Sequence, residues 1–254
     1  MSSKSPKHTP PESAPAAQGS RRNVVLAAVV AVIVAAVVGA VIVSSGGDDK
    51  KSGGASAGSS LGGVSETKAL FDGVPQKGDT IGNPDAPVTL FEFIDYQCPF
   101  CREFKLTSFP ILVGDSVKQG KVKIVTRPLA FIGPESDKAA RAAAAAEKQG
   151  KGAEFTQLFY WNQGEENTGY VTDSFIDKLY DTIGIDKAKA NAFRKSSDSR
   201  AGIIATRKEA DKYGVVSTPT FVIGETGGPY EKLDVPLSEA DQMKAAIDSL
   251  AEPG

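Results

Sequence analysis

Three regimes of hydrophobic patterning follow one another along the chain. From Val24 to Val43 twenty residues, VVLAAVVAVIVAAVVGAVIV, run without a charge or a strongly polar group. As a helix they would reach about 30 Å, the thickness of a bilayer's hydrocarbon core. Arg21 and Arg22 abut the N-terminal end, and positive residues stay on the cytoplasmic side, so the N-terminus is expected inside and everything after Val43 outside. The apolar core of a cleaved signal peptide spans about 7–15 residues and ends at a small-residue site. This run is longer, lacks a clean A-x-A and is followed by no cysteine for lipidation, which predicts an uncleaved signal-anchor. Ser20-Arg21-Arg22 is similar to a twin-arginine export signal, but paired arginines also commonly precede an anchor. Residues 1–23 are rich in Ser, Pro, Ala and Lys and are expected to be a disordered cytoplasmic tail. Residues 44–63, SSGGDDKKSGGASAGSSLGG, form a flexible Gly/Ser linker by composition.

The third regime, residues 64–254, alternates between two periods. Gly82 to Pro87 is dense in turn residues, and Val88–Ile94 (VTLFEFI) reads as a mostly buried strand. Next comes a helix with apolar Phe104, Leu106, Phe109 and Leu112, which Pro110 should kink. Val122–Thr126 is a second strand, halted by Arg127-Pro128. Helical spacing then dominates from Gly133 to Gly214, over Ser136–Lys148, Ala153–Trp161, Thr172–Ile183, Asp186–Ser197 and Ala201–Tyr213. Thr220–Ile223 is a strand, and Ser238–Leu250 a closing helix with Ser238 as N-cap and Asp241 completing a capping-box variant. Strand, helix, strand, four or five helices, strand, helix is an α/β order carrying a helical insertion at about 133–214. The alanine tract 139–146 reads as close helix packing, Phe155, Phe159 and Trp161 as core, and Gly224–Gly228 as a turn.

Charge and rare residues narrow the chemistry. The net charge is −2; the first 23 residues carry Lys4, Lys7, Arg21 and Arg22 against Glu12, hence +3, leaving −5 for the rest. A mildly acidic domain has no electrostatic footprint for nucleic acid. His8, in the tail, is the single histidine, and Cys98 and Cys101 are the only cysteines. That excludes a histidine-based catalytic triad, a zinc site within one chain and a disulfide scaffold. No metal site is expected, although one shared by two chains stays open.

Cys98-Pro99-Phe100-Cys101 falls between a strand and a helix. At a helix N-terminus unpaired N–H groups and the positive end of the dipole stabilise a thiolate at Cys98. Pro99 occupies the first helical position, where its missing N–H costs nothing. Cys101 lies one turn along, shielded. The expected division of labour has an exposed Cys98 attacking or being attacked and Cys101 resolving the mixed disulfide.

The run DAPVTLFEFIDYQCPFC, with STPTFVIG about 120 residues further on, resembles the thioredoxin superfamily. More closely, it resembles its membrane-anchored, extracytoplasmic DsbA-like thiol–disulfide oxidoreductases of bacteria, over about Lys77 to Leu250. The resemblance implies a thioredoxin fold with a helical insertion between its second and third core strands. It matches Cys98 to the nucleophile, Cys101 to its buried partner and Pro219 to a cis-proline facing the cysteines. Residue 218 then offers backbone hydrogen bonds to an extended substrate. Glu92, six residues before Cys98, matches the buried acid that relays a proton to or from the second cysteine, the alternative being that it points to solvent or pairs with a lysine, while Asp95 reads as a strand-end turn residue. Pro99, Phe100, Thr218 and Pro219 are the expected substrate contacts. No cofactor is implied beyond the redox-active pair. The implied partners are unfolded or partly folded exported proteins with free thiols, and a membrane thiol oxidase that regenerates the disulfide. Thr218, where many strongly oxidising members carry Val, leaves open an isomerase or reductase kept reduced by a membrane donor. A peptide-binding chaperone or a copper-handling module is the alternative from another class.

Overall fold

The computed structural model describes residues 60–252. The predicted tail (1–23), anchor (24–43) and all but the last four residues of the linker lie outside them. Among the described residues no helix is long and apolar enough to cross a membrane.

In chain order the elements are α1 (Val64–Phe71), β1 (Gln76–Lys77), β2 (Thr80–Ile81), β3 (Val88–Ile94), α2 (Pro99–Leu106) and α3 (Ser108–Leu112) running into a π-helical turn (Val113–Val117). They continue with β4 (Val122–Pro128), α4 (Pro134–Glu147), α5 (Gly152–Trp161), α6 (Asp173–Ile183), α7 (Lys187–Arg194), α8 (Ser197–Lys212), β5 (Thr220–Glu225), β6 (Glu231–Leu233) and α9 (Ala240–Ala251). The strands form one sheet in the order β1-β2-β4-β3-β5-β6. β3 lies at its centre, parallel to β4 and antiparallel to β5, with Glu92 level with Thr126 on one side and Phe221 on the other. Helices α4 to α8 fill the stretch between β4 and β5 as the expected insertion.

All seven residues of β3 are buried, as befits a strand covered on both faces. Alternation sends Val88 and Leu90 into a cluster with Phe104, Phe109, Leu112, Phe221, Met243 and Ile247 under α2, α3 and α9. Phe91 and Phe93 point the other way, against Ala210, Val215 and Val222. A third cluster belongs to the insertion, where Ala139, Ala140, Ala142, Ala143, Ala145 and Ala146 of α4 let Phe155, Phe159, Leu179 and Tyr180 approach closely. Ile94, Tyr96, Cys98 and Cys101 belong to this cluster, so the cysteine pair sits on the seam between sheet and insertion.

Several boundaries differ from expectation. The helix after Cys101 breaks at Thr107 rather than kinking at Pro110. A proline ring displaces the carbonyl four residues earlier, here that of Leu106, so the break precedes it. The closing helix begins at Ala240, not after an Ser238 cap, and Glu239 provides no side-chain cap. Glu239 N–H bonds instead to the carbonyl of Pro236 in a preceding turn. Gly224 belongs to β5 rather than to a turn. Helix α1 and the short strands β1, β2 and β6 were not evident from the pattern. The last linker residues, Leu61 to Gly63, are held against the domain. Leu61 packs on the insertion core, Gly62 exchanges two hydrogen bonds with the Asn162 side chain (2.9 and 3.0 Å), and Gly63 has φ +75°. A Cβ on Gly63 would lie 2.0 Å from Trp161 Cγ, so Trp161 is a half-buried dock for this arm rather than interior core.

Candidate active site

β3 ends in a buried loop, Asp95-Tyr96-Gln97, that delivers Cys98 as N-cap of α2 with Pro99 at the first helical position. Both cysteines are free thiols in this structure. Cys101 is fully buried, and Cys98 is far less exposed than expected, at 4%. The reason is the opposite wall: the cis Thr218-Pro219 peptide comes within reach, and Cys98 Sγ–H donates to the carbonyl of Thr218 at 3.3 Å. Phe100 stands out of the site at 59% exposure, and Pro99 is also exposed. Thr218 and Pro219 are half-buried.

The two thiols are electrostatically unlike. Hydrogen bonding from the Cys101 thiol, then from the Thr218 side chain and the backbone N–H groups of Cys101 and Phe100, brings the Cys98 pKa down to about 6 against an opposing desolvation. Burial pushes Cys101 well up, and the Cys98 sulfur beside it adds to the effect. One sulfur is thus a thiolate at neutral pH and the other a thiol.

Glu92 is buried, as its place in β3 suggests, but it does not stand alone. Its Oε1 accepts from Lys105 Nζ (2.5 Å) and Thr126 Oγ1 (2.6 Å), while Oε2 has no hydrogen-bond partner among the described residues. Lys105, one turn along α2 from Cys101, is buried too, lies 3.6 Å from the Phe109 ring centroid and is within electrostatic reach of the Cys101 sulfur. Burial lowers its pKa, which Glu92 opposes. A lysine at an inward α2 position four residues after Cys101 was the available signal for this pair.

Asp95 is more than a turn residue. Its carboxylate accepts from Gln97 N (2.9 Å), Ser136 Oγ (2.5 Å), Phe131 N (2.9 Å) and Ile132 N (3.0 Å), and its carbonyl accepts from Cys98 N and Tyr160 Oη. It ties the approach to Cys98 to the loop after β4, which Arg207 of α8 grips from the other side through the carbonyls of Leu129 and Ala130. The insertion reaches over as well: Gln163 Nε2 donates to the carbonyls of Tyr96 (2.8 Å) and Cys98 (3.1 Å), and Asn167 bonds Gln97. No local pattern announces these long-range polar contacts.

A cap-and-dipole site with two dissimilar thiols opposite a cis-proline is built for dithiol–disulfide exchange. The sequence profile described as thioredoxin matches residues 76–249. The chain belongs to the thioredoxin family. Within the thioredoxin family it is similar to the probable disulfide bond formation protein D of Bacillus cereus, 30% identical over 175 residues that cover 66% of this chain and 76% of that protein. It is also similar to disulfide bond formation protein D of Bacillus subtilis, 26% identical with 66% and 74% covered. Oxidised BdbD from Bacillus subtilis shares the fold at a TM-score of 0.61, with 23% identity over 71% of this chain and 94% of that structure. This thioredoxin-family chain is a DsbA-like thiol–disulfide oxidoreductase.

Proposed function

We propose that the protein is a membrane-tethered disulfide donor, acting outside the cytoplasmic membrane on unfolded or partly folded exported proteins. The observation that carries the direction is the similarity to proteins named for disulfide bond formation; a Cys98 acidified by its hydrogen bonds agrees with it, since a couple whose reduced form is favoured gives its disulfide away. A substrate thiolate attacks Cys98 Sγ of the Cys98–Cys101 disulfide. The S–S bond breaks, and Cys101 leaves with the electron pair and takes up a proton. A second substrate thiolate then attacks the substrate sulfur of the mixed disulfide and expels Cys98 as a thiolate. Two electrons have passed into the pair, and a membrane thiol oxidase removes them to restore the disulfide.

Each residue has its part. Glu92 with Lys105 carries the proton for Cys101 from beneath. Thr218 and Pro219 offer backbone to an extended substrate, and Pro99 and Phe100 meet it from the helix side. Residues 24–43 anchor the chain with 1–23 in the cytoplasm. The linker ends at Ser60, since Leu61 to Gly63 are docked, and the catalytic domain follows it outside. Equilibrating the full chain in detergent with glutathione tests the reading. A potential well above that of thioredoxin, about −270 mV, is expected. A value at or below it would reverse the direction, to a reductase fed by a membrane donor.

A further inference from the structure

We propose that Gln163, supplied by the helical insertion, is a positioning residue that sets the acidity of Cys98 and with it the redox poise of the pair. Gln163 follows the end of α5, and its side-chain amide donates to two carbonyls of the segment that turns from β3 into α2, Tyr96 at 2.8 Å and Cys98 at 3.1 Å. The Cys98 carbonyl is also the first acceptor of α2, taking Arg102 N–H at 3.2 Å. Holding this carbonyl and the one two residues earlier fixes the angle at which the helix leaves the strand.

That angle matters because the groups that acidify Cys98 belong to different bodies. The Phe100 and Cys101 N–H groups ride on α2, and Thr218 sits on the β5 side. Cys98 Sγ must stay between them to use both the α2 N–H groups and the Thr218 side chain, and it sits 3.3 Å from the Thr218 carbonyl on that wall. A shift of a few tenths of an ångström weakens charge-assisted bonds of this kind. Neighbouring contacts work in the same sense: Gln97 Oε1 accepts from Asn167 N at 2.7 Å, and Arg102 Nε donates to Tyr160 O at 3.0 Å. Gln163 alone among these side chains touches the Cys98 backbone. The insertion therefore contributes a fixed part of the thiol's environment without touching its sulfur.

The inference rests on the proposed exchange activity but is read from the thiol itself. In Gln163→Leu the Cys98 pKa, followed by thiolate absorbance near 240 nm in the full chain, should rise so that its acid dissociation constant falls about threefold or more. The glutathione equilibrium should move toward the protein disulfide by a similar factor, where tenfold corresponds to about 30 mV. Gln163→Met, which keeps the length and removes the donor without adding a charge, should move both the same way, and serves if the leucine variant does not fold. Asn162→Ala is the control, since Asn162 holds Gly62 and Leu158 but not the redox loop; it should lower Tm and leave both readouts unchanged. Unchanged acidity in the Gln163 variants, or an equal change in Asn162→Ala, would overturn the proposal. A wild-type chain that exchanges no disulfides would instead overturn the function while leaving the acidity test intact.

Discussion

Cys98 and Cys101 are separated by one helical turn and by a wide gap in acidity, which a reagent can read. Alkylation of the reduced protein should be confined to Cys98, with a rate that rises through pH 6 and levels off, while Cys101 stays inert. A rate still climbing through pH 8 would contradict the low pKa. Linkage gives a second readout. A thiol acidified by folding stabilises the reduced fold fully above its ordinary value of 9.0 and loses that contribution as pH falls toward about 6. The Tm of the reduced form relative to the oxidised form should therefore grow between pH 6 and 9. Glu92 and Lys105 make a different claim. Removing one partner strands a buried charge, so Glu92→Leu should cost about 3–5 kcal/mol in urea unfolding, and adding Lys105→Met should recover most of it. At this scale the sequence disclosed whatever depends on near neighbours: the C-x-x-C spacing, Pro99 in the first turn, Glu92 six residues upstream. Asp95, Ser136 and Gln163 stayed hidden because their partners lie up to 67 residues away, and a polar residue in a loop has no periodicity to betray it.

Among the elements, those with strong period were legible and those set by tertiary contact were not. β3 and the insertion helices announced themselves through β-branched runs and apolar spacing. Helix α1 has only eight residues and a weakly amphipathic sequence, and it exists because Phe71 packs on Phe109. The arm leading into it depends on Gly63, so Gly63→Ala should cost about 1–3 kcal/mol through its positive φ alone, seen as a lower Tm. The end of α4 carries a pH-dependent weakness. Burial raises the Glu147 carboxyl to about 7, with Asp79 adding to the rise and Arg127 opposing it. A carboxyl whose pKa rises on folding stabilises below its unfolded value and loses that contribution as pH climbs through about 7. Glu147→Gln should thus raise Tm at pH 8 by a few degrees, corresponding to about 1–2 kcal/mol, and do so less at pH 5. An equal effect at both pH values would remove burial as the cause.

For the molecule as a whole, the redox pair is shared property: its helix belongs to the sheet layer, its packing cluster to the insertion, and its opposite wall to β5. Alternating strand and helix patterns were enough to read the α/β class and the inserted helices, but not which core the cysteines join, because that depends on how Ile94 and Tyr96 leave the strand. The wall has a consequence for the order of assembly. Thr218 follows Cys98 by 120 residues, and closing so long a loop is entropically late compared with helix formation inside it. On the export proposed above Cys98 and Cys101 emerge first, and β5 arrives only after the entire insertion. Until then the growing chain carries two bare thiols with no partner strand to govern their selectivity, and is of the same partly folded kind as the substrates proposed above.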